Sequence, residues 1–261
     1  MRPREIPPNP PFLKGGTGAR NPAPPPLRKE GAGGRIWTAS AVRVFFSCAL
    51  LLFAPALPAE DLEDQISTFF VGRLAFGDNH GNDCGDVGYD LVQLVSRAST
   101  IQVREEKDLV LSDDGLFETP FLFMNGHNDF QLSDAELENL RKYFLRGGFI
   151  FASGCCENPQ FPEAWRRELS RVFAGEKVRD IPYEHLIYRS FYKLERIHSS
   201  NGDRDVYLEG LFMDGDLVAV LGEDGLCCGF AMEGSCNVGG GVRPEDAKKI
   251  ALNVAVYSLT H

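Results

Sequence analysis

"FLFMNGHNDFQLSDAELENLRKYFLRGGFIFASGCC", residues 121–156, decides the fold. It opens on a continuous apolar run, Phe121 to Asn125. A polar turn follows, and Ser133 with Glu136 three residues later forms a capping box, the signature of a helix start. Leu137, Leu140, Phe144 and Leu145 give that helix an apolar stripe. Gly147-Gly148 stops it, and Phe149 to Ser153 is a second continuous apolar run. Two such runs joined through a helix predict neighbouring parallel strands, covered by helices on both faces.

The same alternation extends in both directions. Upstream, Thr68 to Phe76 reads as a buried strand followed by the polar loop "GDNHGNDCGD". "VGYDLVQLVSRAST" places Tyr89, Val92, Leu94, Val95 and Ala98 at helical spacing. "IQV" is a short strand and "KDLVLSDDGLFETP" is mostly connection. Downstream, "PEAWRRELSRVF" is a helix with Pro162 in its first turn. "IPYEHLIYRSFYKL" and "RDVYLEGLFMDGDLVAVLGED" read as short strands, with Asp214-Gly215 as a hairpin turn. "RPEDAKKIALNVAVYSL" closes the domain as a helix that offers Ile250, Leu252, Val254, Ala255 and Tyr257 for packing. The expected class is α/β: a three-layer sandwich around a mostly parallel sheet, with a β-hairpin addition in the C-terminal part.

Outside this domain the chain changes character. Residues 1–35 hold 9 of the 16 prolines and few apolar residues, a composition that cannot bury a core. They read as a flexible leader, or as translated sequence ahead of the true start. In residues 36–59, Arg43 flanks an apolar run from Val44 to Leu57, and Ala59 precedes acidic Glu60. This is a secretory signal pattern with cleavage expected after Ala59. The run is shorter than the roughly 20 residues a membrane span needs. An uncleaved N-terminal anchor is the alternative. Cys48 lies inside the run, not after it, which argues against a lipid anchor there.

Residues 1–59 carry 8 of the 27 Lys+Arg and 2 of the 37 Asp+Glu. The domain from 60 to 261 therefore has 19 basic and 35 acidic groups, a net −16. That excess of negative charge disfavours nucleic acid as a partner. Six cysteines remain: Cys84, Cys155, Cys156, Cys227, Cys228 and Cys236, an even number that permits disulfides in an exported protein.

Taken together, several landmarks resemble the bacterial family called domain of unknown function 4159. They are "RLAF", "PFLFMNGH", "LSDAELENLRKYFLRGGFIFASGCC", "FPEAWRRELSRVF", "IPYEHLIY" and the closing "ALNVAVYSL", spanning roughly residues 69–259. Members commonly read His-Pro where this chain has His185-Leu186. The resemblance implies a class I glutamine-amidotransferase-like, flavodoxin-like sandwich. It implies no reaction, because a fold does not fix a function.

In parallel sheets, ligands bind at the carboxyl ends of the strands. The strand reading puts Cys84, His127, Cys155 and Cys156 on that rim, and Cys227-Cys228 follow a later strand that reaches toward it. Three chemistries compete there. Cys155 or Cys156 could be a nucleophile on the turn after a strand, with His127 or His185 as the base. Against this, the amidotransferase-like elbow has glycine on both sides of its cysteine, and Glu157 stands two after Cys155. Alternatively Cys84, Cys155, Cys156, Cys227 and Cys228, with a histidine, could hold zinc or iron. Finally, one cysteine of each vicinal pair could bridge to the other pair, with Cys84 or Cys236 joined to a remainder, or the thiols could stay free and buried.

The remaining candidates have plain readings. His127 orders its loop and His185 caps a turn. His80 and His198 are expected at the surface. Arg73, inside a strand, is expected to pair with Asp90 or another acid. "NVGGGVRP" lacks the Gly-Lys-Ser/Thr of a phosphate loop. "REEKD" and "EDLED" read as solvated surface. The leading expectation is an exported ligand- or partner-binding protein of the cell envelope with a cysteine-lined rim. A cysteine-dependent hydrolase or transferase, and a metal-binding protein, are the alternatives.

Overall fold

A computed structural model describes residues 68–76, 84, 86–173, 175–202, 204–231 and 241–261. The proline-rich leader, the signal-like run, Cys48, His80, Cys236 and the first half of "NVGGGVRP" lie outside the described residues. Among the described residues, no helix is long and apolar enough to cross a membrane.

The elements run β1 (Thr68–Ala75), α1 (Val87–Ala98), β2 (Gln102–Val110), β3 (Phe121–Gly126), α2 (Asp134–Leu145), β4 (Phe149–Gly154), α3 (Gln160–Val172), β5 (Arg179–Asp180), β6 (Glu209–Met213), β7 (Asp216–Gly222), α4 (Leu226–Phe230) and α5 (Pro244–Thr260). They form one seven-stranded sheet in the order β2-β1-β3-β4-β7-β6-β5. The first five positions are parallel, while β6 and β5 add antiparallel at the end. The hairpin turn is Asp214-Gly215, as its sequence predicts, with Asp214 at φ 53° and Gly215 at φ 99°.

Strand pleating divides the core into two sheets of contacts. Phe121, Phe123, Phe149 and Phe151 pack on the face that carries α1, α4 and α5. Their alternating neighbours Leu122, Met124, Ile150 and Ala152 pack on the other, against Leu137, Leu140 and Phe144 of α2 and Trp165 and Leu169 of α3. Both faces of β3 and β4 are fully buried. This explains why those strands read as unbroken apolar runs.

The capping box at Ser133 and Glu136 is present in full. At the other end of α2, Gly147 takes φ 85°, which a side chain rarely adopts. A Cβ on Gly148 would stand 2.4 Å from the Tyr143 ring. Tyr143 is buried, with its hydroxyl 3.1 Å from both Thr119 O and Phe149 O. The glycine pair thus lets the chain fold tightly back into β4 over a ring whose hydroxyl holds that strand's first carbonyl.

Three expectations need correction. β2 is nine residues long, not the short strand "IQV", and "REEKD", read as solvated surface, lies within it with Arg104, Lys107 and Asp108 exposed. As an edge strand, it can carry charge that blunts pairing with other chains. The stretch "IPYEHLIYRSFYKL" forms turns and a short 3-10 segment, Leu186–Arg189, not strands. Tyr89 and Leu145, read as core, are exposed, and Tyr143 takes the buried place on α2.

Arg73, expected to pair with Asp90 or another acid, pairs with Asp108, its register partner on β2. Its Nε lies 2.7 Å from Asp108 Oδ1.

Candidate functional site

β1, β3, β4 and β7 run in the same direction, so the loops after them meet at one end of the sheet. Their order, 2-1-3-4 followed by β7, is that of a doubly wound sheet whose direction of winding changes between β1 and β3. Cys84 follows β1 and His127 follows β3, so these two flank the change. Cys84 Sγ lies 3.6 Å from His127 Nε2.

β4 supplies the next two thiols. Cys155 N donates to Gly126 O at 2.9 Å, carrying the β3–β4 ladder one residue past Gly154. The chain then turns sharply, with Cys156 at φ 53° and Glu157 at φ 56°. Two successive side-chain-bearing residues in the left-handed region cost on the order of 1–2 kcal/mol each. Hydrogen bonds from distant parts of the chain hold Glu157 there: it accepts from Asn201 Nδ2 at 2.7 Å and from Gly241 N at 3.2 Å. Gly154 is needed for close approach. A Cβ there would lie 2.8 Å from both Glu223 O and Pro162 Cγ.

The second vicinal pair sits on α4, a single helical turn, rather than on a plain turn. Ser153, fully buried at the end of β4, accepts a hydrogen bond from Cys227 N at 2.9 Å. That contact sets α4 against β4 and brings the pairs into register. Cys155 Sγ lies 3.3 Å from Cys227 Sγ, and Cys156 Sγ 3.9 Å from Cys228 Sγ. Among the described residues, donor atoms within 4.8 Å of one another form two groups. One is Cys84, Cys155 and Cys227, all buried. The other is Cys84, His127 and Cys156, of which the last two are half-buried.

The thiols of the first group hold their protons more tightly than ordinary thiols. Cys227 is raised by its hydrogen bonds to Cys155 and Cys228, and then by burial, against a lowering contact from Cys84. For Cys155 the contact from Cys227 works downward. It is outweighed by the hydrogen bond to Cys84, by burial and by repulsion from Cys84 and Cys228. Cys84 follows the same pattern: Cys155 lowers it, while Cys227, Cys228 and burial raise it further. Each thiol resists ionising because its neighbours are thiols and water is scarce.

The structure brings Cys84, His127, Cys155, Cys156, Cys227 and Cys228 together. It does not bring His185 to them. The His185 ring packs on Phe212 and Tyr257, and Tyr257 packs on Phe149, the first residue of β4 and so at the far end of that strand. Its Nδ1 accepts from Ile187 N at 3.2 Å, capping the 3-10 segment. Burial, with His261 and Arg189 nearby, favours its neutral form.

Three contributors to the site escaped the sequence, and one pair beside them. Ser153, Glu157 and Asn201 position the two cysteine pairs through contacts between distant loops, for which no local pattern exists. His198, expected as plain surface, has its Nδ1 2.7 Å from Asp246 Oδ2 in the first turn of α5. Nothing in the spacing of 48 residues announces that pair.

Replacing Ser153 with alanine leaves Cys227 N buried without this acceptor, at a cost of about 1–3 kcal/mol. Urea unfolding of the variant should show that loss, and Cys227 should become easier to alkylate. Unchanged stability and labelling would mean that Ser153 does not set the register of α4.

Fold and rim together define a doubly wound α/β domain with a thiol-rich rim at the carboxyl ends of its parallel strands. The chain belongs to the family described as "Domain of unknown function (DUF4159)", whose model matches residues 74–259. No curated protein matches it.

Proposed function

We propose that this domain is an exported, envelope-associated binding protein whose cysteine-lined rim holds a thiophilic metal ion, zinc or iron. The observation that carries the reading is the convergence of Cys84, Cys155 and Cys227 within 4.8 Å from three separate segments, the connection after β1, the end of β4 and helix α4. A zinc–sulfur bond is about 2.3 Å, so two sulfurs on a tetrahedral ion stand about 3.8 Å apart. The Cys155–Cys227 contact in that group, at 3.3 Å, is near that spacing. Thiols that resist ionising one by one can ionise together around a cation, which reverses the local electrostatics. Export rests on the apolar run ending before Glu60.

One observation favours a second reading, a cysteine nucleophile. Cys156 occupies a left-handed turn between β4 and α3, and His127 lies within 4.8 Å of it. The sheet order and this strand–turn–helix placement suit an amidotransferase-like hydrolase or transferase. The weight of the site falls the other way. A nucleophile needs one low-pKa thiol, and this rim collects five.

Metal analysis and thiol counting on protein purified without oxygen test the proposal. The expected result is at least one equivalent of zinc or iron, with rim thiols that alkylate only after a chelator is added. Metal-free protein whose thiols all label at once would overturn it. A mass lower by two hydrogens per bridge would overturn it in favour of disulfides.

A further inference from the structure

The rim has more donors than one ion can use. Five thiols and one imidazole exceed the four ligands of a tetrahedral centre by two. Their arrangement is not a single shell either. The two groups of mutually close donors share Cys84 and no other residue. One group is wholly buried, while His127 and Cys156 give the other an outward side.

Charge points the same way. A divalent ion on the thiolates of Cys84, Cys155 and Cys227 leaves one uncompensated negative charge in a buried place, which is costly. Adding a second divalent ion on Cys84, Cys156 and neutral His127 brings four thiolates against two dications. The net charge is then zero.

Resting on the metal-binding reading above, we propose that the rim is a binuclear centre for two thiophilic divalent cations, with Cys84 as a bridging thiolate. Cys155 and Cys227 enclose the inner ion. Cys156 and His127 hold the outer ion, which has a coordination position facing solvent. The four cysteines give their protons to solvent as the ions bind. Each ion has three protein donors, so what separates the two positions is burial: the inner ion is enclosed, and the outer one faces solvent, where it can exchange a ligand.

The test is titration with ¹¹³Cd(II) of the purified protein, kept reduced and anaerobic, in a background where Cys48 and Cys236 are replaced by serine. Two equivalents should bind and give two ¹¹³Cd resonances, each split by the other through the shared sulfur. His127→Ala should perturb one resonance and spare the other, and Cys84→Ser should abolish the splitting. One equivalent with one resonance would overturn the binuclear centre while leaving a single metal site standing. Two unsplit resonances would overturn the Cys84 bridge, and with it the proposal. No binding would overturn the metal reading altogether. The splitting is read with Cys84 intact, so the test holds even if the Cys84 variant folds poorly.

Discussion

Cys155→Ser should lower the zinc affinity of the rim by more than about a hundredfold, the upper end of what loss of a merely supporting residue costs. Cys155 is fully buried and belongs to the enclosed group with Cys84 and Cys227. Serine fits the volume but offers a hard oxygen that keeps its proton, where the site calls for a soft thiolate. Cys228→Ser is the fitting comparison, because Cys228 falls in neither group of close donors. Its replacement should cost much less. Competition against a chromophoric chelator measures both variants, and circular dichroism checks that each still folds. Equal affinities for Cys155→Ser and the parent protein would remove the inner site.

With metal and without it, the protein should respond to pH in opposite directions. In the metal-free chain, Cys84, Cys155 and Cys227 have folded-state pKa values raised above those of the unfolded chain. Unfolded thiols ionise near pH 8.5. Below that, the stability tied to these groups is fully present. As pH rises beyond it, the unfolded state gains by ionising while the folded state does not. Each thiol then removes about 1.4 kcal/mol per pH unit, so the metal-free protein should weaken toward alkaline pH.

The metal-loaded protein should weaken on acidification, because protons compete with the ion for sulfur. An ion that displaces three protons loses affinity by about a thousandfold for each pH unit below the thiol range. Thermal midpoints across pH, with and without a chelator, should therefore cross. Parallel curves would mean that the thiols carry no metal.

The parts of this architecture that could be read from the sequence were those written locally. The Ser133–Glu136 box, the Gly147-Gly148 stop, the Asp214-Gly215 turn and the unbroken runs of β3 and β4 each lie within a few residues of what they specify. β2 was hidden because an edge strand does not have to be apolar, and Arg104 to Asp108 look like any solvated run. "IPYEHLIYRSFYKL" misled for a different reason. Its aromatic residues suit a pleated strand, but they act as struts for irregular backbone. Tyr188 has its hydroxyl 3.1 Å from Ile181 O and accepts from Leu208 N. Tyr183 donates to Val206 O and accepts from Ile197 N.

At the rim, strand ends alone placed Cys84, His127, Cys155 and Cys156. Which thiol faces which depends on the seat of α4 against Ser153, and that is a tertiary fact. The same holds for His127 beside Cys84 and for the His198–Asp246 pair.

The sequence distances spanned at the rim bear on how the molecule is made. Cys84 meets His127 across 43 positions, and Cys155 meets Cys227 across 72. Contacts between such distant positions form only after intervening chain has been organised, which is slow compared with local folding. Until β7 lies beside β4, two vicinal dithiols are presented separately on an incomplete chain. Each is then open to capture by an oxidant, or by a stray ion in the wrong partnership. A nascent chain that has not yet laid β7 on β4 therefore holds its two vicinal thiol pairs apart.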